Sequence, residues 1–164
     1  MAANRATVSV SASLLPDNIK ATIGGTTVYD LNDVGDNNKW IHWRGQTDGT
    51  TARDLVNTND VQYLNQTVDY DDTLAEVDED NDDVVFILIK NDATTDGSTS
   101  STANLYVGMS GGNLAVGSGT IVIEPNEVWF ARLRGEALSD INCASSSGDL
   151  VYDVFAILDD GGVS

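Results

Sequence analysis

The chain is poor in most of the residues that build a specialised chemical site. Its 164 residues include one cysteine, one histidine, two prolines and eight lysines or arginines. A lone Cys143 cannot close an internal disulfide, so a cystine-stapled scaffold is excluded. Within Ile-Asn-Cys-Ala it reads as a small buried residue rather than a nucleophile. The basic residues are scattered singly and make no nucleic-acid patch. No run approaches the roughly 18 consecutive apolar residues of a membrane helix. The opening MAANRATVSVSASLLPD lacks the unbroken apolar core of a secretory signal, so synthesis in the cytosol of the expressing cell is expected.

Acid, by contrast, is abundant. The 26 Asp and Glu residues leave a formal charge of -18. Such a surface repels nucleic acid and anionic lipid, whose binding depends on cationic contacts. Partners are therefore expected to offer neutral, hydrophobic or basic surfaces. With 41% hydrophobic residues and 15 glycines the composition is that of a folded globular chain. At this length a single domain can bury roughly 70% of its unfolded surface without metal or disulfide.

The longest apolar run lies in DVVFILIK, Asp83 to Lys90. Four of the six residues from Val84 to Ile89 are β-branched, and such side chains are stiff and suit a pleated sheet. Both faces are apolar, which predicts a strand covered on both sides. Upstream, TVSVSASL alternates, placing Val8, Val10, Ala12 and Leu14 on one side. That pattern fits a half-buried strand or an extended arm awaiting a partner. Ile19 to Ile23 and Thr26 to Leu31 read as a hairpin turning at Gly24-Gly25. Lys39 to Arg44 is a strand. Asp54 to Tyr70 is ambiguous, mostly loop with room for one short helix or strand, and Asp69 to Asp83, with nine acids, is a solvated surface loop. Asn91 to Asn104 is expected to be an exposed loop. Further strands follow at Leu105 to Met109, Leu114 to Val116, Thr120 to Ile123, Val128 to Arg134, Ile141 to Ala144 and Leu150 to Leu158.

Nine or ten short strands with turns between them predict an all-β chain, an antiparallel β-sandwich with little or no helix. A jelly-roll is favoured over an immunoglobulin-like arrangement, although no local pattern encodes strand order. Residues 1–15 are expected to form an arm or first strand, and residues 16–164 one sandwich domain.

Few constellations carry chemistry. Asp78, Asp80 and Asp82 have the opening spacing of a calcium loop. The position that needs glycine is Asp83, however, and the twelfth is Ile89, so an EF-hand is excluded and only a looser divalent-cation site remains. His42 lies inside a strand without singled-out partners. Trp40 and Trp43, with Tyr29 upstream, could stack sugars, but a spacing of three puts the two tryptophans on opposite faces. The segments GMSGGN and GSGT lack the lysine of a P-loop and read as turns. No enzyme activity, cofactor or catalytic residue is expected.

The order VVFILIKNDATTD, LYVGMSGG, IVIEPNEVWFARL and DINCASSSGDLVYDVFAILDD, with the opening VSVSASLLPDNIKATIGG, resembles small virion structural proteins of tailed bacteriophages. The likeness is greatest to the β-sandwich decoration (cement) proteins of the head. It implies a non-enzymatic protein on the capsid exterior that binds the assembled major capsid protein and stabilises the shell, as a trimer or a monomer at a symmetry position, with a homotrimer favoured. A terminal arm could bind by strand addition through Val8, Val10, Ala12 and Leu14. Neck, tail or head-fibre positions belong to the same class. A carbohydrate- or surface-binding β-sandwich module is the competing expectation.

Overall fold

Alternation and β-branching decide the fold. The structure, a computed structural model, describes residues 5–14, 21–30, 38–56, 65–68, 80, 82–109, 114, 121–133 and 135–160. Among these the chain is nearly all antiparallel β-sheet, with one 3-10 turn at Leu138–Asp140 and no α-helix. It divides into two compact units, Met1–Asn38 and Lys39–Ser164.

The first unit is a hairpin of β1 (Arg5–Leu14) and β2 (Ala21–Asp30), paired antiparallel from Arg5↔Asp30 to Leu14↔Ala21. The turn expected at Gly24-Gly25 is not there. Both glycines lie within β2, opposite Ser11 and Val10. Full pairing with β1 satisfies more backbone groups than two five-residue strands could, and Gly24 suits the close approach. A Cβ there would sit 3.3 Å from the Val10 carbonyl oxygen. The strand partner of residues 5–14 thus lies beyond the boundary expected after residue 15.

The second unit is a two-sheet sandwich. One sheet has the order β5-β3-β11-β6-β9 and the other β4-β10-β7-β8. The strands are β3 (Asn38–Gln46), β4 (Arg53–Asp54), β5 (Asn65–Val68), β6 (Asp82–Asn91), β7 (Leu105–Met109), β8 (Ile121–Ile123), β9 (Val128–Arg132), β10 (Ile141–Ser145) and β11 (Val151–Asp160). One continuous core fills the space between the sheets. Ile41, Trp43, Val84, Ile87, Ile89, Tyr152, Val154, Ala156 and Leu158 come from the five-stranded sheet. Leu105, Val107, Ile123, Ile141 and Cys143 come from the other. Burying a side chain of this kind contributes roughly 1.5–3 kcal/mol before entropy is counted.

The apolar run around which the sequence is organised becomes β6, flanked by β11 and β9. Its register with β11 shifts by one between Ile157 and Leu158. The bulge lets Val84 and Ile87, an odd number of residues apart, both enter the core. The expectation that both faces of β6 are covered holds only in part. Phe86 is 4% exposed on the outer face, whereas Leu88 beside it is half-buried. β6 also begins earlier than expected, so Asp82 and Asp83 belong to the strand and not to a surface loop.

Candidate functional site

The residues singled out for partner binding all lie on β1. Val8 pairs with Thr27, Val10 with Gly25, Ala12 with Ile23 and Leu14 with Ala21. By register these positions share one side of the hairpin, while Ser9 lies on the other and meets Thr26 hydroxyl to hydroxyl at 3.2 Å. Val8 is half-buried and Val10 is 39% exposed. The side chains of Ala12 and Leu14 lie outside the described residues. The single arm of the sequence reading is thus a paired strand, with β2 bonded along one side and the backbone groups of alternate residues turned away from it.

The acidic candidates are not brought together. Asp80 is an exposed turn residue, Asp82 is fully buried at the start of β6, and Asp78 lies outside the described residues. Among the described residues no group of three His, Cys, Asp or Glu side chains could hold a metal ion.

The densest polar constellation lies elsewhere, on the outer face of the five-stranded sheet. Asp153 on β11 accepts two hydrogen bonds from Arg44 Nη1 on β3, at 3.0 and 2.8 Å. Arg44 Nη2 also pairs with Asp92, which takes a further bond of 3.1 Å from Lys90 Nζ. His42 Nε2 stands 3.7 Å from Asp153. Burial on its own pulls the Arg44 pKa down, but Asp153 and Asp92 outweigh it and the net direction is up. For Asp92 burial pushes up, while Lys90 and Arg44 outweigh it and hold the carboxyl below its ordinary value. Every charge in this network is balanced by a neighbour, so it reads as a brace between β3, β11 and the exit of β6.

Two buried hydrogen-bonded groups tie the sheets together. Asn91, expected in an exposed loop, is the fully buried last residue of β6. Its Nδ2 donates to the carbonyls of Ala103 and Ile123, both at 3.0 Å, and its Oδ1 accepts from the Ala93 backbone at 2.9 Å. Tyr152 reaches across the core to donate its hydroxyl to the Leu55 carbonyl at 2.7 Å. Only glycine leaves room for it, since a Cβ on Gly45 would lie 2.5 Å from the Tyr152 ring.

The remaining groups follow the same pattern. Cys143 is fully buried, and burial pushes its thiol up to about 12, so it stays protonated. Asp96 accepts from the backbone and hydroxyl groups of Ser98 and Thr99, with Thr99 the stronger influence, which holds its carboxyl far below the usual range. It shapes the exposed loop after β6. Trp43 is core, His42 is exposed, and Trp129 packs half-buried against the core.

No family model, curated protein or solved structure matches this chain.

Proposed function

We propose that the chain is a non-enzymatic virion structural protein, a decoration protein that binds the assembled head of a tailed phage and stabilises it. The observation that carries this reading is the Met1–Asn38 unit. It is a ten-residue-paired hairpin that forms a compact unit of its own, uncharged from Ala6 to Leu14 in a chain of net charge -18. A two-stranded hairpin is marginal in water unless something packs on it. Val10 and Val28 stand exposed on its two sides, at 39% and 52%. The phage likeness of the sequence supplies the partner, the major capsid protein, and the place, the capsid exterior.

The sandwich supports the same reading through its chemistry. Its polar clusters are internally balanced, its one thiol is inert, and its polyanionic surface does not compete for packaged DNA. Co-sedimentation with empty capsids tests the proposal. Full-length protein is expected to pellet with the shells, and Val10→Asp or removal of residues 1–30 to leave a folded sandwich in the supernatant. Equal occupancy by the deletion variant would overturn the assignment of the hairpin. Absence of binding by the full chain to any phage head, neck or tail particle would overturn the function.

A further inference from the structure

Among the described residues, the exposed large hydrophobic side chains of the sandwich gather on two strands. Val122 of β8 is 47% exposed, and Val128 and Phe130 of β9 are 49% and 44% exposed. β8 and β9 each lie at one edge of their sheet and are joined through the corner at Glu124 to Glu127. Edge strands are ordinarily blunted by charge, proline or a bulge. β9 carries none of these between Val128 and Ala131.

The hydrogen bonds on the inner side of β9 reveal which backbone groups remain on the outer side. Leu133 donates to Val85, and Asn91 donates to Glu127. Odd-numbered residues of β9 therefore turn their backbone groups toward β6, and in an antiparallel ladder the even ones turn away. Val128, Phe130 and Arg132 thus aim N–H and C=O away from β6, toward an edge that no described strand pairs with. The same three lie across β6 from Lys90, Leu88 and Phe86, so their positions share the outer face of the sheet.

We propose that β9 is a homotypic interface, with two copies of this chain pairing their β9 strands antiparallel about a twofold axis at Trp129. Three features argue for a second copy as the occupant. In this register Val128 of each copy lies opposite Phe130 of the other, so each exposed apolar side chain meets one of its kind. The outward backbone groups of both strands fall into hydrogen-bonded pairs. The segment also runs from acid, Glu124 and Glu127, through four uncharged residues to Arg132. Antiparallel self-pairing sets the basic end of one strand beside the acidic corner of the other, twice by symmetry. In a chain of net charge -18 such a match of basic end to acidic corner offsets part of the repulsion between copies. The contact is distinct from capsid binding and closes as a dimer, unlike the trimer implied by the phage likeness.

Light scattering and sedimentation of the full-length chain over about 1–200 µM test it, since an edge contact this small belongs to the weak class. The expected mass at the upper end is twice 17.4 kDa, with association strengthened as salt screens the net charge. Phe130→Lys should weaken association by at least about tenfold with an unchanged circular dichroism spectrum. Mixing Val128→Cys with Phe130→Cys protein should give the mixed disulfide in preference to either symmetric one, because hydrogen-bonded pairs stand about 5.5 Å apart. A monomer throughout, a trimer, or a dimer indifferent to Phe130→Lys would overturn the proposal. Preference for a symmetric disulfide would overturn the register.

Discussion

β1 and β6 are both ten-residue strands paired antiparallel along their length, yet they end in opposite circumstances. β6 has a strand on either side and a second sheet across its inner face, and its core residues Val84, Ile87 and Ile89 are completely buried. β1 has one neighbour in its sheet, and of its described side chains Thr7, Ser9, Val10 and Ser11 are exposed and Val8 is half-buried. The difference lies less in the strands than in the neighbours each has within its own unit. Strand-forming chemistry is therefore common to both regions, whereas stability belongs to the region with inter-sheet ties.

The sharpest way to break that contrast is to cut a tie. Asn91→Ala removes three hydrogen bonds and strands the Ala103 and Ile123 carbonyls in the core. Buried groups left unsatisfied cost about 1–3 kcal/mol each, and some relaxation is expected, so the loss should be about 3 kcal/mol. For a sandwich of this size that lowers Tm by roughly 10 °C. A thermal melt within about 2 °C of wild type would mean that the sheets are held by packing alone.

Gly45→Ala tests packing directly. The added Cβ would meet the Tyr152 ring at 2.5 Å, and the ring is pinned by its hydrogen bond to Leu55. Overpacking of this kind costs about 1–3 kcal/mol. Chemical denaturation should show a lower midpoint at an unchanged slope. A neutral result would mean that Tyr152 can tilt, and that its cross-core bond is weaker than its length suggests.

A smaller effect is expected at the outer brace. Arg44→Ala leaves Asp92 and Asp153 without their shared cation and should cost about 1–2 kcal/mol, since the side chains are only partly buried. The folded-state pKa of Asp92 lies below its ordinary value of 3.8. Its ionised form therefore stabilises the protein above that value, and this contribution is lost as pH falls below it. Wild-type stability should drop through that acid window, and the Arg44→Ala drop should be shallower. Parallel acid limbs for the two proteins would remove the brace from the account.

How far the residues announce all this differs between the regions. Apolar period and turn spacing made the all-β sandwich legible, and the tract Val84 to Ile89 marked the central strand. Asn91 and Asp82 were not legible, because a polar residue beside a polar tract looks solvated. What buries them is sheet packing from residues far off in sequence. Gly24-Gly25 misled for a related reason. The pair is ordinary turn chemistry, and only the ten-residue partner β1 makes it mid-strand. The Arg44, Asp92 and Asp153 brace left no local signal, since its members are separated by 48 and 109 positions. The capsid-binding candidates Val8 and Val10 were readable as a strand face, but their pairing with β2 was not.

The smallest effect sharpens the comparison from the hairpin side. Glycine within a strand weakens it by roughly 0.5–1 kcal/mol, through backbone entropy and a missing side chain. At Gly25 a new Cβ would meet nothing within 4 Å, whereas at Gly24 it would press on Val10. Gly25→Thr should therefore stabilise the hairpin and Gly24→Thr should not. Because the hairpin is a compact unit of its own, the gain should appear there alone. Amide exchange of β1 and β2 should slow by about two- to fivefold in Gly25→Thr, the factor that 0.5–1 kcal/mol implies, while β6 and β11 exchange as before. Slowing of equal size in β6 would mean that the two units open together. The contrast between a covered strand and an uncovered one would then be one of exposure only, not of stability.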